Sequence, residues 1–473
     1  MFAQEMKKIF GYTLLISLFF LIVSETMISC ANIIPPSGGA KDTIPPKLFI
    51  ANPKDSIKKF TGNKITLLFN EYIEVKDIMQ NLIVSPNPKN QPLVEYKLNT
   101  VTIKLKDSLE ANTTYTLDFG NSIRDVNEGN IAKDFSYIFS TGNFIDSNTF
   151  KGKAFLAETG KIDTTLIVVL HKNLNDTAII KDRPRYYTKI DGKGNFKFKN
   201  LPKGLYNIFV VPNDFIKKYD DSTKLFAFAD SAVSVPQNKV VTLYAFEEAK
   251  RKSKITTNTP APRSLRNENR LRYTTNLSDG KQDLLNDTLK LSFNKKLKLA
   301  DTSKIILTDS NFKKVNGYQI YSDTGKSRIN IIKKWKEDQY FAVIIPKDAV
   351  TDTSKNTLPK ADTLKFQTRS ESEYGSIHLI VNNLDTALHP ILQLLTIDNK
   401  MIESIPITKR NIDRKLFVPG EYEMRILYDR NNNGIWDAGN YKKKLQPEIV
   451  RPIEKKLSVR ANFSDTETEI SLP

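Results

Sequence analysis

The sequence predicts an all-β chain of four β-sandwich domains in tandem. Three observations lead there. Apolar and polar residues alternate with period two in run after run. Turn-forming residues break these runs at a spacing of roughly ten positions, as in sandwich folds. No long amphipathic helix pattern appears after residue 30. Period two is the mark of a half-buried strand, because successive side chains point to opposite faces.

The chain begins with a targeting pattern over residues 1–29. Lys7 and Lys8 form a basic start, Ile9 to Val23 is apolar, and Ser24 to Ser29 is a short polar exit. That layout is a secretory signal, and its apolar run is short for a bilayer span. Cys30, the only cysteine in 473 residues, follows directly. A lone thiol makes no internal disulfide, and exported proteins rarely keep one. Residues 30–46 contain two Pro-Pro pairs and a Gly-Gly, which suits an extended tether rather than a core.

The first sandwich is placed at 47–142. "NKITLLFNE" alternates Ile65, Leu67 and Phe69 against Lys64, Thr66 and Leu68. "TVTIKLK" does the same with Val101, Ile103 and Leu105, and "TTYTLDF" with Tyr115, Leu117 and Phe119. The second sandwich is placed at 150–247. There, Asp191 to Asn195 reads as a tight turn whose glycines permit positive φ. Phe196 and Phe198 then enter a core that Tyr206, Ile208 and Val210 refill. Residues 248–270 form a polar, basic linker. The third sandwich is placed at 271–369 and the fourth at 375–473.

This order contains an interleaved repeat. Residues 65–84 align with 289–308, and 123–141 with 350–368. Residues 200–214 align with 416–430, each placing Gly-x-Tyr before a strand: Gly204 and Tyr206, Gly420 and Tyr422. The arrangement is A-B-A-B.

Several of these stretches resemble known families. "MISC" at 27–30 resembles the lipobox of bacterial lipoproteins, which implies a lipid on Cys30 and removal of 1–29. No acidic run follows Cys30, which within that resemblance favours an outer-membrane lipoprotein facing the periplasm. The A units, through "ITLLFNEYIE", "LEANTTYTLDF" and "RDVNEGN…FSYIFSTG", resemble bacterial Ig-like domains of the SbsA type. The B units, through "KIDGKGNFKFKNLPKGLYNIFVV" and "FVPGEYEMRILYDRNNNGIWDAG", are similar to carboxypeptidase-regulatory-like, transthyretin-like domains. These resemblances imply fold more than activity. They suggest spacer, adhesion or interaction modules.

Composition and motifs narrow the function further. The net charge is +18, with both signs interspersed. An exported lipoprotein does not meet the genome, so nucleic acid is not expected. Anionic lipids, acidic glycans or acidic envelope proteins suit the charge better. His171, His378 and His389 show no metal-ligand spacing. Ser56 and Lys59 form an isolated Ser-x-x-Lys without companion motifs. No catalytic residues can be named, so no enzyme is expected. The chain reads as a non-catalytic, membrane-anchored envelope lipoprotein that binds or scaffolds. The alternatives are glycan capture, for which Trp335 and Trp436 are the only tryptophans, and an enzyme with an unrecognised site.

Two local patterns remain. "YDRNNNGIWDAGN" resembles a calcium loop: Asp429, Asn431 and Asn433 at alternate positions, Gly434, the Ile435 carbonyl, then Asp437. Asn440 stands where a bidentate glutamate belongs, so binding would be weak. No other cofactor is expected. The corresponding loop in the second sandwich, "PNDFIKKYDDS", lacks the asparagines. Asp-Ser/Thr also recurs, as at Asp42-Thr43, Asp163-Thr164 and Asp385-Thr386. It makes good turns, and it resembles a sequon for periplasmic O-glycosylation.

Overall fold

A computed structural model describes residues 11, 13–17, 41–237, 239–249, 270–462 and 467–472. Cys30, most of the expected signal segment and most of the expected linker lie outside the described residues. Among those described, no helix is long and apolar enough to cross a membrane. Beyond residue 41 the described α-helices are two short ones, Ile78–Asn81 and Ala178–Lys181. Apart from three short 3-10 turns, the other residues described there are strand and loop, built as tandem β-sandwiches, each with its own apolar core.

The chain divides into two compact units. One comprises Met1–Val84 with Pro88–Asn143, and the other Ser85–Asn87 with Phe144–Pro473. The first unit holds the first sandwich. One sheet runs in the order Leu48–Asn52, Lys64–Phe69, Thr100–Lys104, Leu93–Lys97. A second sheet places Thr114–Gly120 between Ile83–Ser85 and Phe135–Ser140. Ile65, Leu67, Phe69, Val101, Ile103, Leu117 and Phe119 are all buried, as period two requires. One strand departs from the pattern: Thr114 and Thr116 are buried too. Thr114–Gly120 is the central strand of its sheet, and the helix Ile78–Asn81 lies against it. Residues 42–46, expected as tether, are held here together with Lys47 at the start of the sandwich. The Asp42 carbonyl accepts from Asn130 (3.0 Å), the Lys47 N–H donates to Asn70 (2.7 Å), and Pro46 is buried.

The second unit contains the other three sandwiches. The third repeats the first. It has a sheet of Tyr273–Thr275, Thr288–Phe293, Arg328–Ile332 and Gln319–Ser322, and the pair Leu297–Ala300 with Val350–Asp352 matches Ile73–Val75 with Ile123–Asp125. The repeat extends to a buried carboxylate. Asp125 accepts backbone N–H bonds from Glu128, Gly129 and Asn130 at 2.6–2.9 Å. Asp352 accepts from Ser354 and Asn356 N–H and from the Asn356 amide at 2.7–2.9 Å. Burial pushes the Asp125 pKa up, but its backbone donors outweigh that and hold it below the usual carboxylate range. The Asn356 amide leads the same effect at Asp352.

The second and fourth sandwiches share another topology. In the second, Asn148–Leu156 lies between Asn195–Leu201 and Val241–Ala245, and it pairs with the latter in parallel from Gly152↔Val241 to Leu156↔Ala245. In the fourth, Gly375–Asn382 lies between Asn411–Phe417 and Glu467–Ser471, again parallel to the latter from His378↔Glu467 to Asn382↔Ser471. The facing sheets are Tyr186–Lys189, Leu166–His171, Gly204–Pro212, Ala227–Phe228 and, in the fourth, Met401–Pro406, Pro390–Thr396, Gly420–Tyr428, Ile449–Val459. The turn at 191–195 forms as the sequence indicates. Asp191 accepts from the Lys193 and Asn195 N–H groups, and Gly194 takes φ 79°. Tyr206 and Tyr422 do the same work in the two copies: each hydroxyl donates to a carbonyl four residues back, Pro202 at 3.2 Å and Val418 at 2.7 Å.

Candidate functional site

Strand Leu166–His171 is buried along its whole length, and so are Ile208 to Val211 beside it. A half-buried strand would alternate; these runs need cover on both faces. Leu166, Val168, Leu170, Ile208 and Val210 fill the core of the second sandwich. Phe209, on the opposite face, is sealed by a side chain from the fourth. Tyr441 sits among Phe226 and Phe228 (centroids 5.1 Å), Phe209 (5.9 Å) and Tyr219 (6.3 Å), edge-on to all four. Edge-to-face packing aims the positive ring edge at the negative faces of its neighbours. The Tyr441 hydroxyl donates to the Asp176 carbonyl at 2.8 Å, and its N–H donates to Glu248 at 2.6 Å. Burial pushes the phenol pKa up.

Around this seat the polar groups are matched. Lys444 lies 4.3 Å from the Tyr441 ring centre and pairs with Asp176. The Gln446 amide donates to the Phe228 carbonyl and to Asp230. The Val450 N–H donates to the Ala157 carbonyl at 2.9 Å. Two glycines allow the approach. A Cβ on Gly439 would stand 2.6 Å from Phe246, and one on Gly160 would stand 2.4 Å from Pro452. Glu248 and Ala249, expected as linker, belong to this junction; the Ala249 N–H donates to the Ser222 carbonyl.

The candidate calcium loop leads directly into the docking segment. Asp429 is fully buried, and its carboxylate accepts from the Asn433 and Gly434 N–H groups at 3.2 and 2.7 Å. Asn431 and Asn433 turn their side-chain oxygens to the N–H groups of Asn433 and Ile435. Their amide nitrogens meet one oxygen of Asp437 at 2.6 and 2.7 Å. The loop is thus closed on itself by hydrogen bonds, and the Ile435 side chain is exposed. Glu448, eleven residues past Asp437, joins it unannounced. Its carboxylate accepts from the Arg430 and Asp437 N–H groups, and its carbonyl accepts from the Trp436 indole. Burial raises the Glu448 pKa, and the charges of Asp429 and Asp437 raise it further. Among the described residues, no group of three His, Cys, Asp or Glu side chains is arranged to hold a metal ion.

The other singled-out residues are dispersed. His171 is buried in the second sandwich, its ring edge-on to Phe209 at 5.8 Å, and its Nε2 has no hydrogen-bond partner among the described residues. His378 pairs with Asp413 on the neighbouring strand of one sheet of the fourth sandwich, beside an open groove of about 1250 Å³, and the hydrogen bond to that carboxylate raises its pKa. His389 meets the Asp429 carbonyl at 3.2 Å. The Ser56 hydroxyl bonds Asp55. Trp335 is buried between Phe341 and Phe366, so neither tryptophan offers an open platform; Trp436 is half-buried under its bond to Glu448. Asp42, Asp163 and Asp385 each accept the N–H two residues on, at 2.9–3.0 Å, which is the turn their sequence favours.

Residues 42–141 and 272–368 match a family model described as Bacterial Ig-like domain. Comparison with curated proteins gives no match. Comparison with solved structures gives matches of low identity and low TM-score, three of which follow. The Bacillus anthracis TIE protein is 11% identical over 92% of this chain and 76% of its own, with a TM-score of 0.17. BcpA, the major pilin subunit of Bacillus cereus, is 10% identical over 69% and 99%, with a TM-score of 0.16. The S-layer protein rSbsC(31-844) is 12% identical over 89% and 41%, also at 0.16. The Ig-like assignment rests on the family match, not on these superpositions.

Two outcomes follow from the junction. Tyr441→Ala empties an aromatic seat, a loss of about 3–5 kcal/mol at a buried site. Calorimetry should then show the second and fourth sandwiches melting in separate transitions, where the native chain melts them together. An unchanged profile would mean the seat does not couple them. His171 gives a pH signature. Burial holds its pKa near 4 in the folded chain, against 6.5 for a free imidazole. The unfolded chain therefore binds the proton first, and stability falls as pH drops from 6.5 towards 4, by ~3 kcal/mol in all. His171→Leu should flatten that part of the curve of melting temperature against pH.

Proposed function

We propose that the chain is a non-catalytic envelope lipoprotein, anchored to the membrane through Cys30, that serves as a binding or scaffolding module. Outer-membrane placement facing the periplasm is the location this reading favours, and envelope proteins or glycans are the partners it favours. The observation that carries it is the Tyr441 seat. It joins two sandwiches distant in sequence into one body, which suits a part that holds surfaces at a set separation. The two Bacterial Ig-like matches support the same reading, and so does the similarity of the second and fourth sandwiches to transthyretin-like domains. The rival enzyme reading has the His378–Asp413 groove to draw on, and the glycan reading needs an aromatic surface other than the two tryptophans. Cys30→Ser is the test of the anchor. The variant should leave the membrane fraction or accumulate with its first 29 residues attached. A processed Cys30→Ser protein that stays membrane-bound would refute the anchor.

Weak calcium binding at Asp429, Asn431, Asn433, the Ile435 carbonyl and Asp437 is a second, separate proposal. The alternate spacing of Asp429, Asn431 and Asn433 before Gly434 supports it, with both asparagine amides brought against the Asp437 carboxylate. Rotating the Asn431 and Asn433 amides would turn oxygens towards Asp437. Calcium on the order of 0.1–1 mM should raise the melting temperature of the full chain, and Asp429→Asn should reduce the rise. An unchanged melting curve at several times that concentration would leave the loop as a turn.

A further inference from the structure

We infer that one end of the first sandwich, carrying Tyr72, Leu98 and Val126, rests on a bilayer of zwitterionic lipid. The inference depends on the Cys30 anchor proposed above. These side chains are 63%, 61% and 58% exposed. Their backbones are joined: the Ile73 N–H donates to the Leu98 carbonyl at 3.0 Å, and the Val126 N–H donates to the Tyr72 carbonyl at 3.2 Å. Large apolar side chains gathered at one tip are the kind of exposed patch that marks an interaction surface.

Leu98 adds an independent sign. It occupies the turn between Leu93–Lys97 and Thr100–Lys104 with φ 55°. A two-residue hairpin favours glycine or asparagine at such a position. A branched apolar residue is strained there and gains nothing from burial, so its place calls for a role outside the fold.

The route of the chain identifies the occupant. Residues 42–47 enter at this same end: the Lys47 N–H and carbonyl bond Asn70, two residues before Tyr72, and Asp42 bonds Asn130, four residues past Val126. Eleven residues, 31–41, separate Cys30 from Asp42. Fully extended they reach ~40 Å at most. An anchor at Cys30 therefore attaches to the sandwich at this end and holds it within that reach of the bilayer. Both charge signs border the tip, Lys47 and Glu71 among them, which matches headgroups that carry both. Tyrosine is also a side chain that favours the membrane–water interface.

The test uses the full-length lipidated protein in phosphatidylcholine vesicles. An environment-sensitive fluorophore is placed through Lys97→Cys, or through Lys58→Cys, an exposed position in the loop at the opposite end of the same sandwich. An acylated Cys30 does not react, and intact mass reports its state. The label at 97 should be blue-shifted and shielded from an aqueous quencher; the label at 58 should not. Adding Tyr72→Ser, Leu98→Gly and Val126→Ser should abolish the shielding at 97 without lowering the melting temperature. Equal quenching at both sites in vesicle-bound, acylated protein overturns the tip contact while leaving the anchor intact. Shielding that survives the triple substitution overturns the role of these residues. Shielding only in phosphatidylglycerol vesicles overturns the zwitterionic assignment. A free Cys30 thiol overturns the anchor and this inference with it.

Discussion

The seat of Tyr441 is the contact on which the second unit depends. Without it, Phe209, Phe226 and Phe228 would lose the ring that packs edge-on against all three. Apolar area buried in this way drives association. The polar groups around it limit what can be seated. The hydroxyl of Tyr441 finds the Asp176 carbonyl, and Lys444 finds both the ring and the Asp176 carboxylate. A phenylalanine would fill the space yet leave that carbonyl without its donor. The two copies also meet through corresponding loops. Tyr219 belongs to the segment aligned with the calcium-like loop, and it stacks on Phe226 at 4.1 Å beside Tyr441. Duplication thus supplied both sides of the contact.

The Ig-like pair shows what a duplication preserves. "RDVNEGN" and "TDTSKN" differ in length and in most residues, yet each keeps one aspartate whose carboxylate gathers the N–H groups of its loop. A buried backbone N–H without a partner is costly. An acceptor at that point is therefore harder to replace than the residues it organises. In the second copy the asparagine side chain supplies a donor where the first copy has a backbone N–H.

Much of the architecture was legible because strands write their burial into sequence with period two. Ile65, Leu67 and Phe69, or Phe196 and Phe198, could be assigned to a core without any fold in hand. The Gly-x-Tyr repeat also marked Tyr206 and Tyr422 as equivalent positions, though not the hydroxyl bond that each makes. The junction was harder to read, though part of its signal was present. "LIVVLH" and "IFVV" do not alternate, and an unbroken apolar run asks for cover on both faces. What the run cannot say is which segment provides the cover, since Tyr441 lies more than two hundred positions away. Glu448 was hidden for a similar reason. It falls outside the short frame in which calcium-like loops are recognised, and only the return of Ile449–Val459 to the sheet brings it back. Thr114 and Thr116 resist reading in another way, because threonine suits a surface strand and a covered one alike.

The parallel pairing of first and last strands in the second and fourth sandwiches has a mechanical consequence. Asn148–Leu156 and Val241–Ala245 run in the same direction, as do Gly375–Asn382 and Glu467–Ser471. The chain therefore enters each of these sandwiches at one end and leaves at the other. Tension along the chain loads the five paired positions of each ladder lengthwise, in shear, so that the bonds resist together instead of peeling apart in turn. A cell envelope swells and contracts with turgor. A chain built this way can transmit a pull across these two sandwiches while their cores stay closed.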